Sequence, residues 1–513
     1  MKLHSLISAI TARSNSPHIA IQSTDRSWSY AQLNDCCQRF RQVLKQESLT
    51  AESNVAIIAQ SSHETIALIV ATASLGHVPL LISPTMGNDA KQKIYAQNNI
   101  PFELAAREQR CTVTMVATTQ SEGIAEPSTG DPPTAALLTT SGTTGTPKVV
   151  RVAPQGLRNF VDWAIKHFAI DHRCRVLSYA PLNFDLSLFE VWATLASGAT
   201  VLLTDPARAT DPAHVGELVL DRHPTIVQAV PMFYRLLTEF ADHQQLTKAA
   251  TQPRHLISTG DTASPALRQH LAALFPTAAF HNIYGSTETN DSFIHSCTAA
   301  DFAKPERLPI GRPIAGVHYR ILTAEGHEHH GSSAEGMLYT ATPFMSNGYT
   351  DTRLNADNFL QHAADGRTYF RTGDRVRISE NGDIQLLGRA DFIVKVRGVR
   401  TNLMDVEAVL SRYPGVAQAA AIHRQDPTTD NSVHAVVQMR PGCAFVPLDI
   451  RRFCASQLPR TAIPSTFHSM ERLPTTSTGK PDRRAISSLI TTRKEHADRR
   501  KSTHLHRQRT DPG

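Results

Sequence analysis

The stretch VAIIAQSSHETIALIVATASLGHVPLLI, Val55 to Ile82, decides the architecture. Val55-Ala56-Ile57-Ile58-Ala59 is apolar without alternation, as a strand buried on both faces requires. Glu64 to Leu75 reads as a helix, and Val78-Pro79-Leu80-Leu81-Ile82 as a second buried strand. Strand, helix and strand in that order form a parallel pair with a covering crossover. Working outward, Ile19-Ala20-Ile21 and Ser27-Trp28-Ser29-Tyr30 are short strand signals, and helical spacing begins at Ala31. The strand–helix alternation continues to about residue 300. The expected fold class is therefore α/β.

The texture changes twice more. From Gly311 to Gly388, short apolar runs such as Tyr319-Arg320-Ile321-Leu322 and Gly336 to Thr340 are broken by Gly, Asn and Asp, which predicts a β-rich subdomain. After Asp391 comes a smaller α+β unit, with strands at Phe392–Val396, Ala417–His423 and Ser432–Met439 and helices at Asp405–Tyr413 and Leu448–Gln457. The expected division is residues 1–390, residues 391–490, and a basic, disordered tail over 491–513.

A length of 513 residues exceeds one core, so several structural units are required. The hydrophobic fraction of 41% and charged fraction of 19% suit a globular protein. Much of the base behind the net charge of +6 lies between Arg493 and Arg509, which leaves the body near neutral and argues against nucleic acid as a partner. No apolar run approaches the roughly 18 residues of a membrane span, and the N-terminus lacks a secretory pattern. The seven cysteines are scattered, with no CxxC pair, as expected in a reducing cytoplasm. His327, His329 and His330 lack spaced partners for a structural zinc.

Thr139-Thr140-Ser141-Gly142-Thr143-Thr144-Gly145-Thr146-Pro147-Lys148 follows the apolar run Ala135 to Leu138. Glycine permits a sharp bend that aims N–H groups at an anion, hydroxyls add donors, and Lys148 adds charge. It is not a Walker loop, since the GxxxxGK[ST] spacing is missing. Taken alone it reads equally as a phosphate cradle or a polar linker. Five further segments follow in order: Pro181 to Phe189 around Asp185, Asn282-Ile283-Tyr284-Gly285-Ser286-Thr287-Glu288, Tyr369 to Asp374, Gly388 to Gly398, and Leu473 to Arg484 around Lys480.

Together these motifs resemble the adenylate-forming superfamily of acyl-CoA synthetases, firefly-type luciferases and nonribosomal peptide synthetase adenylation domains. The resemblance runs from about Ser27 to Arg484 and is nearest to a freestanding amino-acid adenylation enzyme. It implies a large N-terminal domain and a small mobile C-terminal domain, with ATP and Mg²⁺ as cofactors. Thr140, Ser141, Gly142, Thr143, Thr144, Gly145 and Lys148 would grip the β- and γ-phosphates. Asn282 and Tyr284 would flank adenine, with Gly285 and Ser286 shaping the loop. Thr287 would touch the α-phosphate, and Glu288 would help hold Mg²⁺, a hard cation that prefers oxygen ligands. Asp374 and Arg389 would bind ribose, Asp391 would be the interdomain hinge, and Lys480 would bridge the acid carboxylate and the α-phosphate. The sequence departs from the family at Val149 and Met404, where Gly is usual, and at Ser286, where Pro is usual in amino-acid activators.

By the same resemblance Asp185 would anchor a substrate ammonium; the lesser alternative is a helix N-cap, since Asp185 precedes an apolar-periodic stretch through Trp192. The pocket would be lined by Leu186, Phe189, Met232, Ile257, Thr259, Ile283, Asp291 and Ser292. The apolar wall implies a small amino acid, with serine, alanine or threonine first, while Asp291 and Ser292 offer a polar corner for a hydroxyl or a second amine. No phosphopantetheine attachment motif follows Lys480, so the expected acceptor is a separate carrier protein, in antibiotic-type peptide biosynthesis. Two other readings stand beside this one: an acyl-CoA ligase for a small or aryl acid, and an inactive nucleotide-binding partner protein.

Overall fold

The structure, a computed structural model, describes residues 4–47, 49, 53–108, 110–116, 133–140, 147–250, 253–323, 325–329, 331, 333–396, 399–426, 429–458, 462–476 and 480–490. The Val55–Ile82 stretch forms the strand Asn54–Ile58, the helix His63–Ser74 and the strand Val78–Ile82, and the two strands are parallel. Ser62 starts the helix by accepting the Thr65 N–H at 3.1 Å. Ile66 to Ala73 are all buried, so this helix has no polar face.

These elements belong to a sheet ordered Arg110–Met115, Phe102–Arg107, Asn54–Ile58, Val78–Ile82, Ala136–Thr140 and Lys148–Val152. A second, nine-stranded sheet runs Arg312–Pro313, Asn290–Cys297, Ala279–Ser286, His255–Thr259, Ile226–Ala229, Arg175–Ser178, Thr200–Leu203, Ile19–Gln22 and Ser27–Ser29. The helices Tyr30–Gln46, His63–Ser74 and Pro154–His167 contribute to one core with Phe160, Phe168, Phe189 and Val191. The fold class is the α/β class expected. The inner strands are parallel, and antiparallel hairpins appear at Ala136–Thr140 with Lys148–Val152 and at Ala279–Ser286 with Asn290–Cys297. Their connections are too short for a crossover, so each chain segment must fold back on its neighbour. A third, antiparallel sheet includes His318–Leu322, Glu335–Ala341 and Phe359–Gln361 from the predicted β-rich section.

The chain divides into one compact unit of Met1–Thr372 with Val376–Leu386 and another of Gly373–Arg375 with Leu387–Gly513. In the second, the sheet Val416–Asp426, Thr429–Met439 and Thr466–Ser469 separates two cores. Val433, Ala435 and Val437 face the helices Leu403–Leu410 and Pro447–Ala455, whereas Val436 packs with Ile422, Met470 and Ile486. That is the period-two alternation of a strand covered on both faces. The predicted helix at Asp405 begins earlier, at Leu403, because Asn402 caps it by accepting the Met404 N–H at 3.0 Å. No described helix is long and apolar enough to cross a membrane. The tail over 491–513 lies outside the described residues.

Candidate adenylation site

The hairpin Ala279–Ser286/Asn290–Cys297 carries the Asn282–Glu288 motif into its turn. Two residues make the turn possible. Asn290 has φ of 54°, a left-handed conformation asparagine tolerates. Gly285 lies against the opposite strand so closely that a Cβ would sit 2.2 Å from the Asn290 carbonyl oxygen. Ser286 and Thr289 close the turn through their hydroxyls at 3.0 Å, and the Thr289 N–H donates to the Ser286 carbonyl at 3.1 Å.

Several interactions radiate from it. The Thr287 hydroxyl donates to Asp185 Oδ2 at 2.8 Å, joining two motifs 102 residues apart. Glu288 is buried, and its Oε1 accepts the Tyr349 hydroxyl at 2.5 Å. Burial, then the charge of Asp185, pushes the Asp291 carboxyl up to about 8. The Ser292 hydroxyl donates within the turn, 3.2 Å from both Thr289 Oγ1 and the Asn290 carbonyl. The Asn282 side chain donates to the Pro309 carbonyl at 2.8 Å, and the Tyr284 ring meets Phe293 edge-on.

Of the residues expected around the acid, Phe189, Ile257, Thr259 and Ile283 are buried, and Leu186 and Met232 are half-buried. Ile257, Thr259 and Ile283 are buried on adjacent parallel strands, with Thr259 opposite Ile283. Phe189 is buried against Phe168, ring centroids 5.3 Å apart. The Leu186 carbonyl accepts from Gln228 at 3.3 Å, and Met232 is half-buried on the helix Pro231–His243. Leu188–Ala193 is a π-helical turn, a form frequent at functional sites. Glu190 within it is fully buried; burial outweighs hydrogen bonds from Ala180 and Gln228 and pushes its carboxyl up to about 8.

Glu190 has a measurable consequence. Its carboxyl binds a proton in the fold at pH values where the unfolded chain has released it, between about 4.5 and 8. The native state then holds more protons, so this group's contribution falls as pH rises through that window. Half-buried His255 and buried His281, lowered by desolvation to about 4 and about 3, act in the opposite sense and only below 6.5. Glu190→Gln should therefore gain stability relative to the parent as pH rises from 6.5 to 8. Thermal midpoints of both proteins across that range check it, and a constant difference would count against a neutral Glu190.

Thr140 ends the strand Ala136–Thr140, opposite Lys148. Ser141, Gly142, Thr143, Thr144 and Gly145 lie outside the described residues. The Lys148 ammonium lies 5.1 Å from the centroid of the Tyr349 ring. In the second unit, Arg389 Nη1 pairs with Asp374 Oδ1 at 3.5 Å, and Asp391 falls in the 3-10 turn Ala390–Phe392. Lys480 is exposed in a loop closed by the bridge Thr475–Pro481, its carbonyl accepting the Thr476 N–H at 2.7 Å.

Residues 9–350 match the AMP-binding enzyme family, and residues 405–480 match the AMP-binding enzyme C-terminal domain. The chain belongs to the AMP-binding enzyme family. This AMP-binding enzyme is 29% identical over 491 residues to surfactin synthase subunit 1 of Bacillus subtilis, covering 92% of this chain and 14% of that protein. It is 30% identical over 491 residues to phosphinothricin tripeptide synthetase PhsB of Streptomyces viridochromogenes, covering 91% and 40%. The chain thus spans well under two thirds of these relatives' lengths. Its fold is similar to Klebsiella oxytoca NpsA in complex with 3-hydroxyanthranilyl-AMSN, with TM-score 0.77, 22% identity, and 95% and 99% of the two chains covered. It is also similar to AB3403, a four-domain nonribosomal peptide synthetase bound to AMP and glycine, with TM-score 0.77, 19% identity, and 94% and 36% covered. This AMP-binding enzyme is similar in sequence to nonribosomal peptide synthetases.

Glu288 also fits the cation that adenylation chemistry uses. Its buried carboxylate takes one neutral donor from Tyr349, and no lysine or arginine pairs with it among the described residues. A buried anion so placed suits a hard cation.

Proposed function

We propose that this enzyme activates an amino acid as aminoacyl-AMP with release of pyrophosphate, then passes the acyl group to the phosphopantetheine thiol of a separate carrier protein. The observation that supports the amino-acid reading is the Asp185 carboxylate, whose Oδ2 accepts the Thr287 hydroxyl at 2.8 Å and whose charge adds to burial in raising the Asp291 carboxyl. A carboxylate with a second carboxyl near it favours a cation, and an α-ammonium would supply it. An aryl or fatty acid brings no such charge.

The roles follow from chemistry. Asp185 holds the ammonium, with the Thr287 hydroxyl fixing its rotamer. Leu186, Phe189, Met232, Ile257, Thr259 and Ile283 form an apolar wall that favours a small side chain, and Asp291 with Ser292 forms its polar corner. Thr287 stands at the α-phosphate, while Glu288 would hold Mg²⁺, which neutralises phosphate charge as pyrophosphate departs. The Thr140–Lys148 segment grips the departing phosphates, and Asn282, Tyr284, Gly285 and Ser286 border the base. Asp374 and Arg389 bind ribose. Lys480 holds carboxylate and α-phosphate together, and rotation about Asp391 exchanges it for the thiol.

Pyrophosphate exchange over a panel of amino acids tests this directly. Serine, alanine and threonine are expected first, and diamino acids belong in the panel because Asp291 could take a second amine. Exchange driven only by aryl or short-chain acids, with product released on free coenzyme A, would favour an acyl-CoA ligase. No exchange with any acid, together with retained ATP binding, would favour an inactive nucleotide-binding protein.

A further inference from the structure

The segment Thr342–Thr350 is tied to both halves of the proposed nucleotide site. On the hairpin side, the Thr342 hydroxyl donates to the Thr289 carbonyl at 2.9 Å, and the Ser346 N–H donates to the Glu288 carbonyl at 2.9 Å. On the phosphate-loop side, the Arg151 N–H donates to the Gly348 carbonyl at 2.8 Å, and the Thr350 N–H donates to the Val149 carbonyl at 2.9 Å. Arg151 Nη1 also donates to the Tyr349 carbonyl at 2.7 Å. Tyr349 stands where these ties converge. It is 2% exposed and packs on Phe359. Its hydroxyl reaches Glu288 and its ring lies under Lys148.

From this geometry we propose that Tyr349 is a positioning residue that sets the Glu288 carboxylate and the Lys148 ammonium relative to one another for the metal–nucleotide complex. The proposal rests on the reading of Glu288 as the cation's carboxylate. The phenol O–H occupies one carboxylate oxygen, Oε1. That fixes the torsion of the carboxyl and directs Oε2 as the oxygen for a cation. The same ring offers its π-face to Lys148, which limits how far the ammonium can swing. A buried phenol tied at both ends thus replaces water, which would let the carboxylate rotate.

Tyr349→Phe keeps the ring and removes the donor. Titration of Mn²⁺ into enzyme with saturating ATP and no acid, followed by electron paramagnetic resonance, reads the cation site without turnover. Binding should weaken about tenfold, as loss of a hydrogen bond to a charged group predicts. The Mg²⁺ concentration that half-saturates pyrophosphate exchange should rise in parallel, with circular dichroism unchanged. Glu288→Gln should weaken Mn²⁺ at least as much, and adding Tyr349→Phe to it should change nothing further. If Glu288→Gln weakens Mn²⁺ and Tyr349→Phe does not, the positioning role is overturned while the Glu288 reading stands. If Glu288→Gln leaves Mn²⁺ untouched, the reading of Glu288 itself falls. Additive losses in the double variant would mean that Tyr349 acts elsewhere, which also overturns the proposal.

Discussion

Lys480→Ala is expected to lower the rate of aminoacyl-AMP formation by about 10²–10³-fold, the usual effect of removing one preorganised charge from a transition state. Lys480 is exposed in its Thr475–Pro481 loop, and the loop's internal hydrogen bond uses its backbone carbonyl. Removing the side chain therefore costs little stability, and the thermal midpoint should stay within a degree or so. An exposed lysine that merely solvates a surface would leave both quantities unchanged. Single-turnover formation of the adenylate separates the two cases. If the thiol step runs after Lys480 has been exchanged for the acceptor, transfer from preformed aminoacyl-AMP should survive the substitution. A loss confined to that transfer, with adenylation intact, would reverse the assignment.

The second large effect belongs to Asp185. Asp185→Asn keeps the volume and an acceptor for the Thr287 hydroxyl but removes the charge facing the ammonium. Losing one partner of a desolvated charge pair costs about 2–5 kcal/mol, which corresponds to a drop in kcat/KM of at least about 30-fold. The loss should appear mainly in KM for the amino acid, with KM for ATP little changed. Burial is the main cause of the raised Asp291 carboxyl and persists in this variant, so loss of the smaller Asp185 contribution should lower it only in part. Exchange that persists undiminished in Asp185→Asn would remove the ammonium anchor and move the substrate toward an acid without an amine.

Much of the fold was legible because its signals are local. The unbroken apolar runs at Val55 and Val78 and the intervening helix need no distant information, and they fold as read. The antiparallel hairpins were not legible, because apolar content says that a strand is buried and not which way its neighbour runs. The site motifs were visible as words in the chain, but their junctions were not. Thr287 meets Asp185 across 102 residues, and Glu288 meets Tyr349 across 61. Tyr349 lies in a Gly- and Asn-flanked segment that reads as an ordinary turn, so nothing in its neighbourhood announces a partner in a distant hairpin turn. Glu190 was hidden for another reason. It is an acid inside an otherwise apolar run, and only the surrounding burial explains why it holds its proton.

The hairpin around Thr287–Ser292 has a consequence for redesign of this enzyme. Its turn supplies the hydroxyl that meets Asp185 and the carboxylate assigned to the cation, and its second strand begins with the residues proposed for the polar end of the acid pocket. Gly285 leaves that turn no room to shift. Selectivity and turnover are therefore linked through a single rigid piece, and changes at Asp291 or Ser292 aimed at a new acid should drag ATP use with them. Met232, proposed for the acid pocket, lies on a separate element, the helix Pro231–His243, and is half-buried. Libraries that vary Met232 first, and leave the turn intact, should reach new acids with fewer dead variants than libraries centred on the turn.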